Sequence, residues 1–145
     1  MRNYVWIGCG SVAGAILRYL LENARLSWYH GSIPLNTLLI NLSGAFLMGF
    51  LMTALLEVLT VSPALRLALT TGLLGAYTTF STMCKESSVL LLRGDLLSGL
   101  CYPALSVLLG LGAVLLGTAA ARKLGTALLQ RGNSLPDGKE EPEAE

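Results

Sequence analysis

The residues in this chain able to do chemistry are neutral hydrogen-bond donors. The densest group is Thr78-Thr79-Phe80-Ser81-Thr82, four hydroxyls around one aromatic ring. Thr37 and Asn41 stand four apart, as do Tyr102 and Ser106, so each pair shares one face of a helix. Phe80 and Met83, three apart, also share a face. Hydroxyls and an amide NH2 solvate a small anion, and the positive edge of a phenyl ring can meet one. Being uncharged, such groups replace water around an ion without trapping it. Bland readings stand beside this one. A Ser or Thr in a membrane helix back-bonds to the preceding turn, and Asn41 serves equally well as a clasp between helices.

Other chemistries are missing. His30 is the sole histidine, and it sits among loop residues. Cys9, Cys84 and Cys101 are odd in number and lie in apolar stretches, which indicates small buried hydrophobes rather than a disulfide framework or zinc site. No phosphate-binding loop, HExxH or GxSxG occurs. Glu22, Glu57, Glu86 and Asp95 fall near segment ends or breaks, with Lys85 beside Glu86, so no embedded acid pair is set up for proton transfer. The chain reads as a protein without enzymatic activity. A net charge of +1 gives no footprint for nucleic acid.

The elements that position the donors are membrane helices. The chain of 145 residues is 53% hydrophobic and 13% charged, about half the charge of an ordinary soluble domain. Residues 3–17, 26–56, 67–84 and 96–121 lack Asp, Glu, Lys and Arg. A bilayer core takes about 20 apolar residues as helix. The expected fold is therefore an all-α membrane protein with four transmembrane helices, at about 4–24, 35–57, 65–92 and 96–121. These form one channel domain over 1–126, followed by a polar, disordered tail over 127–145. Trp28 and Tyr29 suit the membrane interface. The third span is expected to be broken, because Gly72 and Gly75 loosen it and the β-branched threonines that follow do not restore it. A broken membrane helix frees carbonyls that must be buried in protein or occupied by an ion.

Four spans place both termini on one side. That side holds Arg2, Arg66, Arg122 and Lys123 near the membrane; the other holds Arg18, Arg25, Arg93 and Lys85. With no positive-inside bias, insertion in both orientations and an antiparallel dimer are expected. Gly10 and Gly14 form a GxxxG, and Gly44, Gly49, Gly110, Gly112 and Gly117 add small-residue seams, for packing within the chain or between copies.

These residues resemble the Fluc fluoride channels, the CrcB family. Gly10 through Tyr19, with Gly14, Ala15 and Arg18, is similar to the family's first-span GxxxGAxxRY. Pro34, Thr37-Leu38, Asn41, Gly44, Phe46 and Gly49 are similar to its second-span pattern, and Gly75 with Thr78 to Thr82 to its G-x-x-TTFST signature. The resemblance implies a dual-topology homodimer in the cell inner membrane, with two antiparallel pores that passively export fluoride and lower its toxicity. It implies a structural, untransported sodium ion on the backbone carbonyls of Gly75 and Thr78 from each subunit. Asn41 would then be a pore donor, Phe80 would present its ring edge, and Thr37, Thr79, Ser81, Thr82, Met83, Tyr102 and Ser106 would line the pathway, with Arg18 near the vestibule.

Two positions depart from the family pattern. Met83 replaces a common Phe, removing a second ring edge while leaving conduction in place. Asn36 replaces a usual glycine at the start of span two. A paired-subunit heterodimer is an alternative to the homodimer. The alternative function is a small multidrug-resistance-type four-helix exporter, which needs a carboxylate within its first span; here the first acid is Glu22, at that span's end. A purely structural membrane subunit is a third reading.

Overall fold

The computed structural model describes residues 2–24, 29, 31–59 and 61–133, all helix, turn or loop with no strand among them. Arg25, Trp28, His30 and the tail from 134 onward lie outside the described residues. Helix α1 spans Arg2–Glu22. Its last carbonyls would be orphans, but the Asn36 side-chain amide donates to Leu21 O, Glu22 O and Ala24 O at 2.7–3.0 Å. The residue that departs from the family glycine thus closes the end of the first helix. Helix α2 (Leu35–Thr53) follows and continues into a π-helical turn, Ala54–Val58.

Short helix α3 (Pro63–Leu67) begins with Ser62 accepting from Leu65 N, with proline at the first helical position. It widens into a π-helical stretch, Ala68–Leu74, and ends as the single turn α4, Gly75–Tyr77. Thr78 and Thr79 are extended (ψ 154° and 118°), and helix resumes as α5, Phe80–Leu92, with the Thr79 hydroxyl accepting from Thr82 N. Gly94, at φ +83°, turns the chain in a conformation that other residues rarely adopt. Asp95 then accepts from Ser98 N at the start of α6, Leu96–Asn133.

Among the described residues, three helical runs are long and apolar enough to cross a membrane: Asn3–Glu22, Leu35–Val58 and Leu96–Leu128. The segment placed at 65–92 is divided into α3, the π-helical stretch, α4 and α5, and no piece of it reaches that length. The boundary placed at 126 falls within helix α6. Helix α6 runs on to Asn133, because residues 119–131 are mostly Ala, Leu, Lys, Arg and Gln, good helix formers with no proline among them. At about 1.5 Å per residue its 38 residues extend about 57 Å, well beyond the hydrocarbon core.

Contacts fix the directions. Gly10 approaches the backbone of Ala68 and Gly14 that of Leu73 and Tyr77, so α1 runs parallel to the α3–α4 segment. Leu38 packs with Tyr102, Gly49 meets Val114 O and Glu57 pairs with Arg122, so α2 with its π-helical extension runs parallel to α6; the two are in close backbone contact at Gly49 and at Gly117, which meets Phe46 O. A Cβ at Gly10, Gly14, Gly49 or Gly117 would fall within 2.4 Å of a backbone oxygen, which explains four of the seam glycines as packing within the chain. Among the described residues, nothing outside the local helix lies within 4 Å of a Cβ built at Gly110 or Gly112. The Arg122 guanidinium pairs in a fork with Glu57 at 3.1 Å, tying the end of α2 to α6.

Proline at 103 lies inside α6 and cannot donate to Gly99 O. The buried Ser87 hydroxyl of α5 donates to that carbonyl instead. The substitution of one donor for the other locks α5 against α6 beside Tyr102.

Candidate functional site

The site forms where α2, α5 and α6 meet around the break at Thr78-Thr79. Asn41, on α2, reads both backbone groups of Thr79: its Nδ2 donates to Thr79 O at 2.9 Å and its Oδ1 accepts from Thr79 N at 2.8 Å. In an unbroken helix that N–H would close on Gly75 O. Likewise Thr82 N, which would close on Thr78 O, is taken by the Thr79 hydroxyl at 3.2 Å. The carbonyls of Gly75 and Thr78 thus lose their ordinary i+4 donors. A Cβ built at Gly75 meets only Thr70 O, at 3.9 Å, so there is room beside it. Backbone carbonyl oxygens suit a hard cation, and these two residues fit the sodium set that the resemblance implies.

Two clefts flank the break. An open groove of about 440 Å³ is walled by Asn41, Gly44, Thr78, Thr79, Phe80, Met83, Ser106 and Gly110. Phe80 stands 73% exposed over it, whereas Met83 is only 4% exposed and packs with Leu38 and Tyr102. A second cleft of about 370 Å³, toward the α1–α2 connection, is lined by Glu22, Asn36, Thr37, Thr82 and Glu86. Tyr102, fully buried, bonds to one lining residue of each cleft. Its hydroxyl donates to Glu86 Oε2 at 2.8 Å, and the Thr37 hydroxyl donates to Glu86 Oε1 at 2.8 Å. Ser106 donates to Tyr102 O at 2.8 Å, the back-bond expected of a helical serine, while also facing the groove. A series of polar groups therefore runs from Thr82 and Thr37 past Tyr102 to Ser106 and Asn41.

Most residues singled out in the sequence converge here, with altered roles. Asn41 acts as the clasp and also lines the groove. Thr79 caps α5 and is 5% exposed, its hydroxyl donating to Thr82 Oγ1 at 2.9 Å. Ser81 is exposed and lines neither cleft, sitting 3.4 Å from the Thr79 hydroxyl. Arg18 lines neither cleft as well, but is 3.9 Å from Glu22, which does.

Glu86 is the residue that sequence reasoning missed. Set beside Lys85, it reads as a solvated charge pair; instead both its oxygens are held by hydroxyls from α2 and α6. The available signal was its place inside the 65–92 segment, since an ionisable residue at membrane depth is a functional candidate by default.

Residues 5–118 match the family described as "CrcB-like protein, Camphor Resistance (CrcB)". The chain is 42% identical over 136 residues to the fluoride-specific ion channel FluC 2 of Carboxydothermus hydrogenoformans, covering 94% of this chain and 99% of that one. It is 38% identical over 124 residues to the fluoride-specific ion channel FluC of Rhizobium meliloti, covering 86% and 99% respectively. A third relative, the FluC of Methylococcus capsulatus, is 42% identical over 118 residues, which are 81% of this chain and 52% of that longer one. With its glycine seams, its threonine-rich break and the matched length, the chain belongs to the CrcB family.

Proposed function

We propose that this protein is a fluoride channel that lets fluoride leave the cell passively across the inner membrane. The observation that carries the reading is the run of uncharged donors through the packed interior, from Thr37 and Thr82 past Tyr102 to Ser106 and Asn41. Fluoride is small and strongly hydrated, so the barrier to its passage is loss of water. Short hydrogen bonds supplied in series replace that water one molecule at a time. The Thr37 and Tyr102 hydroxyls already donate to the Glu86 oxygens, and an arriving fluoride accepts the same protons. A larger halide gains less from short bonds and fits the space beside Phe80 poorly.

Several features favour two copies in antiparallel orientation, each supplying one wall of each pore. The groove beside Phe80 is open along one side, and the near-equal division of Lys and Arg between the two ends gives insertion no preferred direction. In that assembly the segment from Pro63 to Leu92 serves as one broken crossing. The carbonyls of Gly75 and Thr78 would hold sodium between the copies, where it supplies fixed positive charge near the anion path.

The exporter reading lacks support, because Glu22 is the terminal residue of α1 and Glu86 is engaged at both oxygens. The test is fluoride efflux from loaded liposomes carrying the purified protein, followed with a fluoride electrode. Rapid fluoride release with little chloride release, abolished in Phe80→Ile, is expected. Equal fluoride and chloride fluxes, or none of either, would overturn the reading.

A further inference from the structure

Lys85 presents a physical problem. It lies seven residues before the end of α5, about 10 Å along the helix, inside the segment that the channel reading takes as the broken crossing. It is exposed, and among the described residues no carboxylate pairs with it or with Arg93. An unpaired ammonium at that depth is costly unless it reaches water. A small cleft of about 160 Å³ supplies the route: it is lined by Lys85 and Arg93, two helical turns apart, together with Ser32, Pro34 and Glu86. Ser32, Pro34 and Glu86 also line the vestibule that leads to Thr37 and Thr82. The two cavities therefore meet at Glu86.

From this juxtaposition we propose that Lys85 and Arg93 form an anion-collecting mouth that feeds the vestibule at Glu86. The proposal rests on the channel reading and adds to it a source of attraction. Three carboxylates, Glu22, Glu86 and Asp95, stand at this end of the molecule and repel an approaching anion. Arg18 is committed to Glu22, and Lys85 and Arg93 supply the remaining positive charge. Without Lys85 this end is net negative among the described residues. The ammonium sits beside the path rather than across it, so it raises the local fluoride concentration without becoming a trap. A unit charge about 8 Å away in water changes that concentration about two- to threefold.

The experiment measures fluoride efflux from phosphatidylcholine vesicles, free of charged lipid, at low fluoride where flux follows occupancy of the mouth. Ionic strength is set to about 0.02 M or about 0.5 M with an impermeant salt, which shortens the screening length several-fold. Lys85→Gln is expected to lower flux about two- to threefold at low salt and to match the unsubstituted protein at high salt. Lys85→Glu is expected to lower it by about the square of that factor, and Lys85→Arg to keep it. The side chain is exposed, so these changes leave the packed core untouched. A loss in Lys85→Gln of equal size at both salt levels, or no loss, overturns the proposal. So does a flux in the unsubstituted protein that is indifferent to salt, while leaving the channel reading intact. Only an absence of fluoride flux under all conditions removes both.

Discussion

Replacing Asn41 tests whether the break in the third segment is held by one side chain. Both of its polar atoms bond to Thr79, at 2.9 and 2.8 Å, and Thr79 is 5% exposed, so little water can take their place. In Asn41→Ala, one N–H and one C=O are left without partners. A buried unsatisfied group costs about 1–3 kcal/mol, and the open groove beside position 41 admits some water, so about 2–4 kcal/mol in total is expected. Asn41→Asp separates the two bonds. An ionised carboxylate still accepts from Thr79 N but faces Thr79 O with like charge; once protonated, it can donate there. The deficit of this variant is therefore expected to shrink in acid. The assay is denaturant unfolding in mild detergent followed by helical circular dichroism, run from neutral to acidic pH, alongside fluoride flux. Asn41→Ala unfolding with the unsubstituted protein, or an Asp variant whose deficit does not shrink in acid, would refute the clasp.

Three further outcomes follow from the packing. Ser87→Ala removes the donor that fills the carbonyl left by Pro103, so a loss of about 1–3 kcal/mol is expected in the same unfolding assay; Pro103→Ala combined with it should recover much of the loss, since the main chain then donates to Gly99 O. The Ser98 hydroxyl, the Ser98 N–H and the Ser32 hydroxyl bonded to Asp95 hold its carboxyl below the ordinary range, so its contribution is present above the unfolded value and lost as pH falls through the folded one; Asp95→Ala should lower stability at neutral pH and converge with the unsubstituted protein in strong acid. Met83→Phe puts a stiff ring where a flexible side chain packs on Leu38 and Tyr102: overpacking of about 1–3 kcal/mol is expected, with faster fluoride flux if the ring turns into the groove, and an unchanged flux would show that a second ring edge is of no consequence there.

What the sequence made legible was the chemistry that is local in the chain. The donors of Thr78 to Thr82, the weak helix after Gly72 and Gly75, and the near absence of charge are properties of adjacent residues, and they located the site and the membrane class. What stayed hidden was every decision made by a partner from another helix. Asn36 looks like a misplaced turn residue until Leu21, Glu22 and Ala24 present their carbonyls to it. Pro103 announces that Gly99 O needs a donor, but nothing in the order of residues says that Ser87, twelve positions earlier, provides it. Glu86 is the clearest case, because a glutamate following a lysine is usually a solvated pair. Its engagement at both oxygens follows from α2 and α6 running parallel, which brings Thr37 and Tyr102 to the same height against α5. That parallel course depends in turn on Gly49 and Gly117, where any side chain would strike a backbone oxygen. The small residues that look merely permissive in the sequence therefore determine where the Glu86 carboxylate can stand.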